Sequence, residues 1–319
     1  MKWRKLGLVF DVASHPLPAP CVAFAQAPQA LVLDDRVRMY FSSRSIDAVG
    51  KALSHVIWAD FDRDFRVLRT AEAPVVGPGA LGCYDEHGVF PLNVVRDGRR
   101  VLGFIGGWSR RVSVHVDGAI GLSVSEDDGL TFQRLGDGPV LAASPRQPFL
   151  IGDPFVLKIG PQFHMWHIFG TRWQRYGAAG EPERVYKIGH AVSADALTWE
   201  STGEGAPLIA DVLGEDECQA LPTVARIRGV YHILFCFRQA SGFRHDRDRA
   251  YRLGHAHSVD LVTWVRDDAA SGLEVSREGW DSEMMCYPHL FMVGSQVYVA
   301  YNGNEFGRHG FGLARLEEW

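Results

Sequence analysis

The stretch Asp216-Glu217-Cys218-Gln219-Ala220-Leu221-Pro222-Thr223-Val224 sets an acid five residues ahead of a proline that opens an apolar run. The same opening, a proline followed by extended apolar residues, recurs at Pro28-Gln29-Ala30-Leu31-Val32, Pro91-Leu92-Asn93-Val94-Val95, Pro154-Phe155-Val156-Leu157 and Pro288-His289-Leu290-Phe291. Successive prolines are 63, 63, 68 and 66 residues apart, so one structural unit is used five times.

Within a unit, short runs of β-branched and aromatic residues alternate with Gly, Pro and Asp, the mark of strands and turns. In the third unit Phe155-Val156-Leu157-Lys158-Ile159 is followed by Gly160-Pro161, then by Phe163 to Phe169, then after a long loop by Tyr186 to Val192. The third strand carries a glycine in Ile120-Gly121-Leu122, Ile188-Gly189-His190, Leu253-Gly254-His255 and Phe311-Gly312-Leu313. A polar turn then leads to an aromatic residue, as in Ser193-Ala194-Asp195-Ala196-Leu197-Thr198-Trp199 and Ser258-Val259-Asp260-Leu261-Val262-Thr263-Trp264. Ser and Asp there serve the turn and the aromatic anchors the outer strand, an architectural role.

Five units of four strands predict an all-β fold, a five-bladed β-propeller of four-stranded blades. The expected blades span about 24–75, 85–140, 149–205, 217–270 and 281–319. The last lacks an outer strand, and the N-terminal residues 3–10, which belong to no blade, are expected to supply it and close the ring. No linker or low-complexity segment interrupts the chain, so residues 1–319 read as a single domain.

The chain is 46% hydrophobic and 22% charged, with a net charge of -5. That balance excludes nucleic acid and anionic membrane surfaces as bulk electrostatic partners. The apolar run after Met1-Lys2-Trp3-Arg4-Lys5 is too short for a signal peptide, and no transmembrane run is present. Five cysteines at scattered spacings form neither a metal pair nor a disulfide framework, which points to a reduced, cytoplasmic protein without a metal or other cofactor. The sequence leaves the oligomeric state open.

In a propeller, the residues ahead of each first strand and those after each second strand converge on one funnel. The first set supplies acids: Asp85 and Glu86, Asp153 directly before Pro154, Glu217, and Glu283. A group of carboxyls around an axis suits glycosyl transfer, which needs one protonated acid and one ionised group, with repulsion and burial dividing the roles. The second set supplies cations and aromatics, among them Arg44, Trp108, Arg111, Arg172, Trp173, Arg238, Arg308 and His309. Tryptophans stack on sugar rings and arginines take carboxylate or phosphate, so an anionic carbohydrate ligand is expected.

At the level of the unit pattern the whole chain resembles the five-bladed propeller glycosidases: the arabinanase/xylosidase families, the invertase-like fructosidases and the mannoside phosphorylases. Gly152-Asp153-Pro154 is similar to the Arg-Asp-Pro motif of the invertase-like enzymes, which implies that Asp153 stabilises the transition state. Glu217-Cys218 is similar to their Glu-Cys motif, which implies Glu217 as general acid. Where those families place a nucleophile or base one blade earlier, this chain has Phe90, leaving Asp85 or Glu86 for the role. The ending Tyr301-Asn302-Gly303-Asn304-Glu305 resembles the closing blade of the mannoside phosphorylases and adds Asn304 to the expected binding residues.

The expectation is a carbohydrate-active enzyme of glycosidase or phosphorylase type, acting on an anionic or phosphorylated sugar, with phosphate or a nucleotide sugar as candidate partners. Glu283 would position substrate hydroxyls. A phosphorylase needs no water-activating base, in keeping with Phe90. The alternative is a transferase or a non-catalytic propeller that binds glycan or nucleotide sugar in polysaccharide biosynthesis.

Overall fold

The computed structural model describes residues 1–177 and 180–319. An N-terminal strand β1 (Lys2–Asp11) precedes the first unit, made of β2 (Ala23–Val32), β3 (Val37–Ile46), β4 (Ala52–Phe61) and β5 (Val67–Thr70). The second unit holds β6 (Gly88–Asp97), β7 (Arg100–Arg110), β8 (Val116–Ser125) and β9 (Gln133–Arg134). The third holds β10 (Ile151–Ile159), β11 (Gln162–Arg175), β12 (Pro182–Ser193) and β13 (Glu200–Ser201). The fourth holds β14 (Glu217–Ile227), β15 (Val230–Gln239), β16 (Arg252–Ser258) and β17 (Val265–Arg266), and the fifth β18 (Cys286–Val293), β19 (Gln296–Asn302) and β20 (Gly310–Glu318).

Inside each unit the strands pair antiparallel in sequence order. The third and fourth units are separate four-stranded sheets, while a single parallel pair, Ser54 with Gly88, joins the first two. The N-terminal strand lies antiparallel on β20, Lys2 opposite Glu318 and Asp11 opposite Gly310, so the fifth sheet has the order β1-β20-β19-β18. Each first strand packs on the first strand of the next unit, and β18 packs on β2. Side chains stitch these neighbours together: the Val156 N–H donates to Asn93 Oδ1 at 2.9 Å and the Leu290 N–H to Thr223 Oγ1 at 2.9 Å.

Local chemistry accounts for the turns. Arg228 and Gly229 join β14 to β15 with φ of 50° and 88°, the paired positive φ of a two-residue hairpin whose twist matches its strands. In the polar turns, the Ala196 N–H donates to Ser193 Oγ at 2.9 Å, the Thr198 N–H to Asp195 Oδ1 at 2.8 Å, and Trp199 Nε1–H to the Ala196 carbonyl at 3.1 Å. The turn at Ser258, Asp260, Leu261 and Trp264 repeats all three bonds. Between sheets the units are cemented by aromatics such as Trp166, fully buried against Ile233 and Phe235 of the next unit.

Every first strand carries a register shift at its proline. The residue ahead of the proline is left-handed in four units: Ala27 (φ 51°), Asp153 (50°), Leu221 (47°) and Tyr287 (58°). A residue before proline ordinarily stays extended, and each such backbone state costs on the order of 1–3 kcal/mol. The bulge re-aims that side chain, which is how strand entry presents chemistry to a cavity.

Candidate active site

A cavity of about 340 Å³ opens where all five units meet. Two residues that precede prolines, Phe90 and Tyr287, face each other across it, rings 5.1 Å apart and edge to face. The third, Asp153, is the acid of the site. Its side chain is 7% exposed, and one carboxyl oxygen accepts the Leu221 N–H at 3.2 Å. Burial pushes the carboxyl up from 3.8 to about 7, against the pull of that hydrogen bond and of the Arg184 charge. Asp153 is thus poised between its protonated and ionised forms near neutral pH.

The walls come from strands behind this entry. Trp108, held by its Nε1–H to Ser54 Oγ at 2.6 Å, presents its ring beside Arg44, and Arg44 donates from Nε to Gln26 Oε1 at 2.9 Å. From β12 come Arg184 and Tyr186, and just ahead of β16 stands Tyr251. The Tyr186 and Tyr251 hydroxyls lie 2.6 Å apart, and buried Arg238 donates from Nη2 to the Tyr186 oxygen at 3.0 Å. His115 and Asp117 form the rim, Asp117 ion-paired with Arg111.

Of the acids expected at the funnel, Asp153 alone lines this cavity. Glu217 is fully buried elsewhere with its acceptors filled. Oε1 takes Arg266 Nη1–H at 2.6 Å and Gln219 Nε2–H at 2.9 Å, and Oε2 takes the Val212 and Leu213 N–H groups at 2.8 and 2.9 Å. Burial works against its charge, but the bonds from Gln219, Arg266 and the Val212 N–H outweigh it and hold the carboxyl below its ordinary value. Glu217 is therefore placed apart from the cavity lining, with its carboxyl oxygens occupied by four donors.

Asp85 is placed in the same manner. It is 1% exposed and receives Arg134 Nη2–H at 2.6 Å, while Asp281 in the fifth unit receives Lys5 Nζ–H at 2.6 Å. In all three units an acid at the entry of the first strand clasps a cation on the outermost strand: Arg134 on β9, Arg266 on β17, Lys5 on β1. The recurring acids are sheet clasps. Glu86 accepts the Gly82 N–H at 3.1 Å within its own turn, and Glu283 is exposed, its N–H given to Asn304 Oδ1 at 2.8 Å. Asp85, Glu86 and Glu283 do not line the cavity.

Among the expected binding residues, Arg44 and Trp108 line the cavity, and Arg238 reaches it through Tyr186. Arg172 is spent on Asp216 at 2.5 Å and the Glu215 carbonyl at 3.0 Å, and Trp173 packs on the core between units. Arg111 holds the rim acid Asp117, Arg308 and His309 pair with Glu305, and Asn304 serves the Glu283 backbone. Sequence reasoning missed Arg184, Tyr186, Tyr251, Tyr287, His115 and Asp117. A signal existed for Tyr186 and Tyr251, since each stands three residues before the repeated glycine, Gly189 and Gly254.

All five cysteines are free, no helix is long and apolar enough to cross a membrane, and no cluster of metal-ligating side chains occurs among the described residues.

No family model matches the chain. Among solved structures, a complex of BT0996 with RGII superimposes with a TM-score of 0.73 at 18% identity, covering 98% of this chain and 91% of that one. A member of the GH130 family of mannoside phosphorylases, reported to contain hydrolases that target β-1,2 mannosidic linkages in Candida mannan, gives 0.69 at 12% identity, covering 99% and 93%. The GH32 β-fructofuranosidase BmSUC1 of Bombyx mori gives 0.60 at 14%, covering 92% and 59%. The fold is accordingly one that this chain shares with solved glycoside hydrolase structures. Two proteins of Mycobacterium tuberculosis are similar along the sequence itself: the uncharacterized proteins Rv1502 and MT1551, of strains H37Rv and CDC 1551 / Oshkosh, are each 33% identical over 318 residues, covering 99% of this chain and 100% of theirs. By that likeness over the full length of both, the chain belongs to the family of Rv1502.

Proposed function

We propose that this chain is a carbohydrate-active enzyme that breaks or forms a glycosidic bond in the cavity around Asp153, of glycosidase or phosphorylase type. The observation that carries the reading is the placement of one buried carboxyl, pushed up to about 7, at the left-handed entry of β10 and open to a cavity lined by Trp108, Phe90 and three tyrosines. A carboxyl that holds its proton near neutral pH can pass it to the leaving oxygen as the C–O bond breaks, a step worth typically ~10²–10⁴-fold. Trp108 offers an aromatic face for a sugar ring.

Asp117 is the only other acid among the described lining residues, and Arg111 holds it. A nucleophile that arrives already ionised, such as phosphate, needs no second carboxylate to activate it. Together with Arg44 and Arg184 this favours phosphorolysis, or transfer to or from an anionic or phosphorylated sugar, over hydrolysis. The same shortage of acids also supports a second reading, a non-catalytic propeller that binds glycan or nucleotide sugar in polysaccharide biosynthesis.

The domain reading that accompanies this is a single five-bladed propeller over residues 1–319, supported by the sequential packing of the first strands, by β18 on β2, and by β1 on β20. The free cysteines support a reduced, cytoplasmic setting.

The test is incubation with aryl glycosides, sugar 1-phosphates and nucleotide sugars, with and without phosphate, for wild type and Asp153→Asn. Turnover that Asp153→Asn abolishes is expected. Inactivity of wild type on every panel would leave the binding reading, and full activity of Asp153→Asn would remove Asp153 from the chemistry.

A further inference from the structure

The floor of the cavity holds more positive charge than the protein balances. Arg111 neutralises Asp117, and the remaining acid is Asp153. Against it stands Arg44, whose hydrogen-bonding partner is the neutral side chain of Gln26. Arg184 also lines the cavity, and its guanidinium makes no hydrogen bond or ion pair with the described residues. Arg238 lies behind the wall, 2% exposed. Its Nη1 donates to the Gln239 and Ala240 carbonyls at 2.7 and 3.2 Å, its guanidinium sits 3.4 Å over the Phe243 ring, and no described carboxylate pairs with it. A buried cation without a counter-ion is costly, and the cost persists unless a ligand supplies the negative charge.

Counting protons on the two tyrosines shows where that charge would go. Arg238 donates to the Tyr186 oxygen, occupying one lone pair. The Tyr186 and Tyr251 hydroxyls carry two protons between them, and the 2.6 Å bond that joins them consumes one. The other has no acceptor among the described residues, and both rings line the cavity. Whichever hydroxyl keeps it, a donor backed by a buried guanidinium is left without a partner on residues that line the cavity, with the free guanidinium of Arg184 in the same wall.

We propose that this floor is an oxyanion-binding subsite: the ligand carries a carboxylate or phosphoryl group, received by Arg184 and by the free proton of the Tyr186–Tyr251 pair. The inference rests on the reading of the cavity as a carbohydrate site and adds the chemical class of the substituent and the residues that hold it. Arg238 is a positioning residue, since it acts on the ligand through Tyr186.

The experiment is calorimetric titration of the whole chain with sodium phosphate, sodium D-glucuronate and D-glucose, at matched ionic strength in chloride, for wild type, the double variant Tyr186→Phe/Tyr251→Phe, which removes both hydroxyl protons, and Arg184→Gln. Melting curves without ligand confirm that each variant folds, and the two phenylalanines keep both rings in place. Wild type is expected to bind phosphate or glucuronate and not glucose, and each variant to lose roughly tenfold or more in that affinity, the weight of a hydrogen bond to a charged group. Preference for phosphate identifies a phosphoryl group, and preference for glucuronate a carboxylate. Absence of anion binding beyond chloride, or equal affinity in the variants, overturns the proposal. If anions fail to bind while Asp153→Asn abolishes glycoside turnover, the subsite alone is wrong. If anions bind through these residues and no glycoside turns over, the subsite stands and the enzymatic reading falls.

Discussion

Replacing Asp153 by asparagine should strengthen the fold while removing the chemistry. The folded protein holds the Asp153 proton up to about pH 7, whereas the unfolded chain releases it near 3.8. A raised carboxyl contributes its full stability below 3.8 and loses it as the pH climbs through about 7, because unfolding then releases the burial cost of the charge. At about 1.4 kcal/mol per tenfold, the span from 3.8 to about 7 sets an upper limit of about 4 kcal/mol. Asparagine keeps an oxygen for the Leu221 N–H and carries no charge, so it escapes the loss. Melting curves of both proteins should nearly coincide in acid and separate toward pH 8, with the variant ahead by roughly 3–6 °C, given about 1.5 °C per kcal/mol for a chain of 319 residues. Turnover, assayed in parallel, should fall by ~10² or more. A variant that melts at or below wild type near pH 8, or at an offset that does not change with pH, refutes the argument that burial of this carboxyl is being sustained for function.

Arg266→Met, which strands the buried Glu217 charge, should cost about 3–5 kcal/mol in denaturant unfolding, yet leave the ligand affinity of the folded fraction within about twofold, because the clasp lies outside the cavity. Glu217 has a lowered carboxyl, so its contribution is present above the ordinary 4.5 and lost as the pH falls below it; Glu217→Gln should flatten the acid side of the stability profile. Trp108→Ala should raise the Kd or KM for a sugar ligand roughly tenfold, the weight of one aromatic platform, measured by titration or steady-state kinetics. Deleting residues 1–11 removes the strand paired to β20 together with the Lys5–Asp281 clasp, and should yield a less stable protein that self-associates through the bared edge, as read by light scattering.

The strand pattern was legible because hydrophobic runs, turn residues and prolines repeat on the scale of a whole unit, and the placement of β1 followed from a missing outer strand. The acids misled because a position in the repeat was read without its partner. Asp85 and Glu217 each clasp an arginine 49 residues onward, in Thr131-Phe132-Gln133-Arg134 and Thr263-Trp264-Val265-Arg266. The third unit has Phe149 five residues before its proline, where Glu217 stands in the fourth, and Ser201 in place of the arginine. Comparing the repeats position by position reveals these pairs; scanning for carboxylates alone does not. Arg184 was invisible for another reason: its significance lies in lacking a partner, a property of the folded surroundings and not of the local sequence.

The left-handed residue ahead of the proline in four of the units has an implication for how such a molecule changes over time. Its backbone conformation accompanies the bulge and is independent of the side chain mounted there: alanine, aspartate, leucine and tyrosine all occupy equivalent left-handed mounts in this one chain. Specificity can therefore drift by single substitutions at a few addresses, with no loop rebuilt and no strand re-registered. A lineage sharing this frame should diversify its ligands fastest at these mounts, while the clasps beneath them stay put.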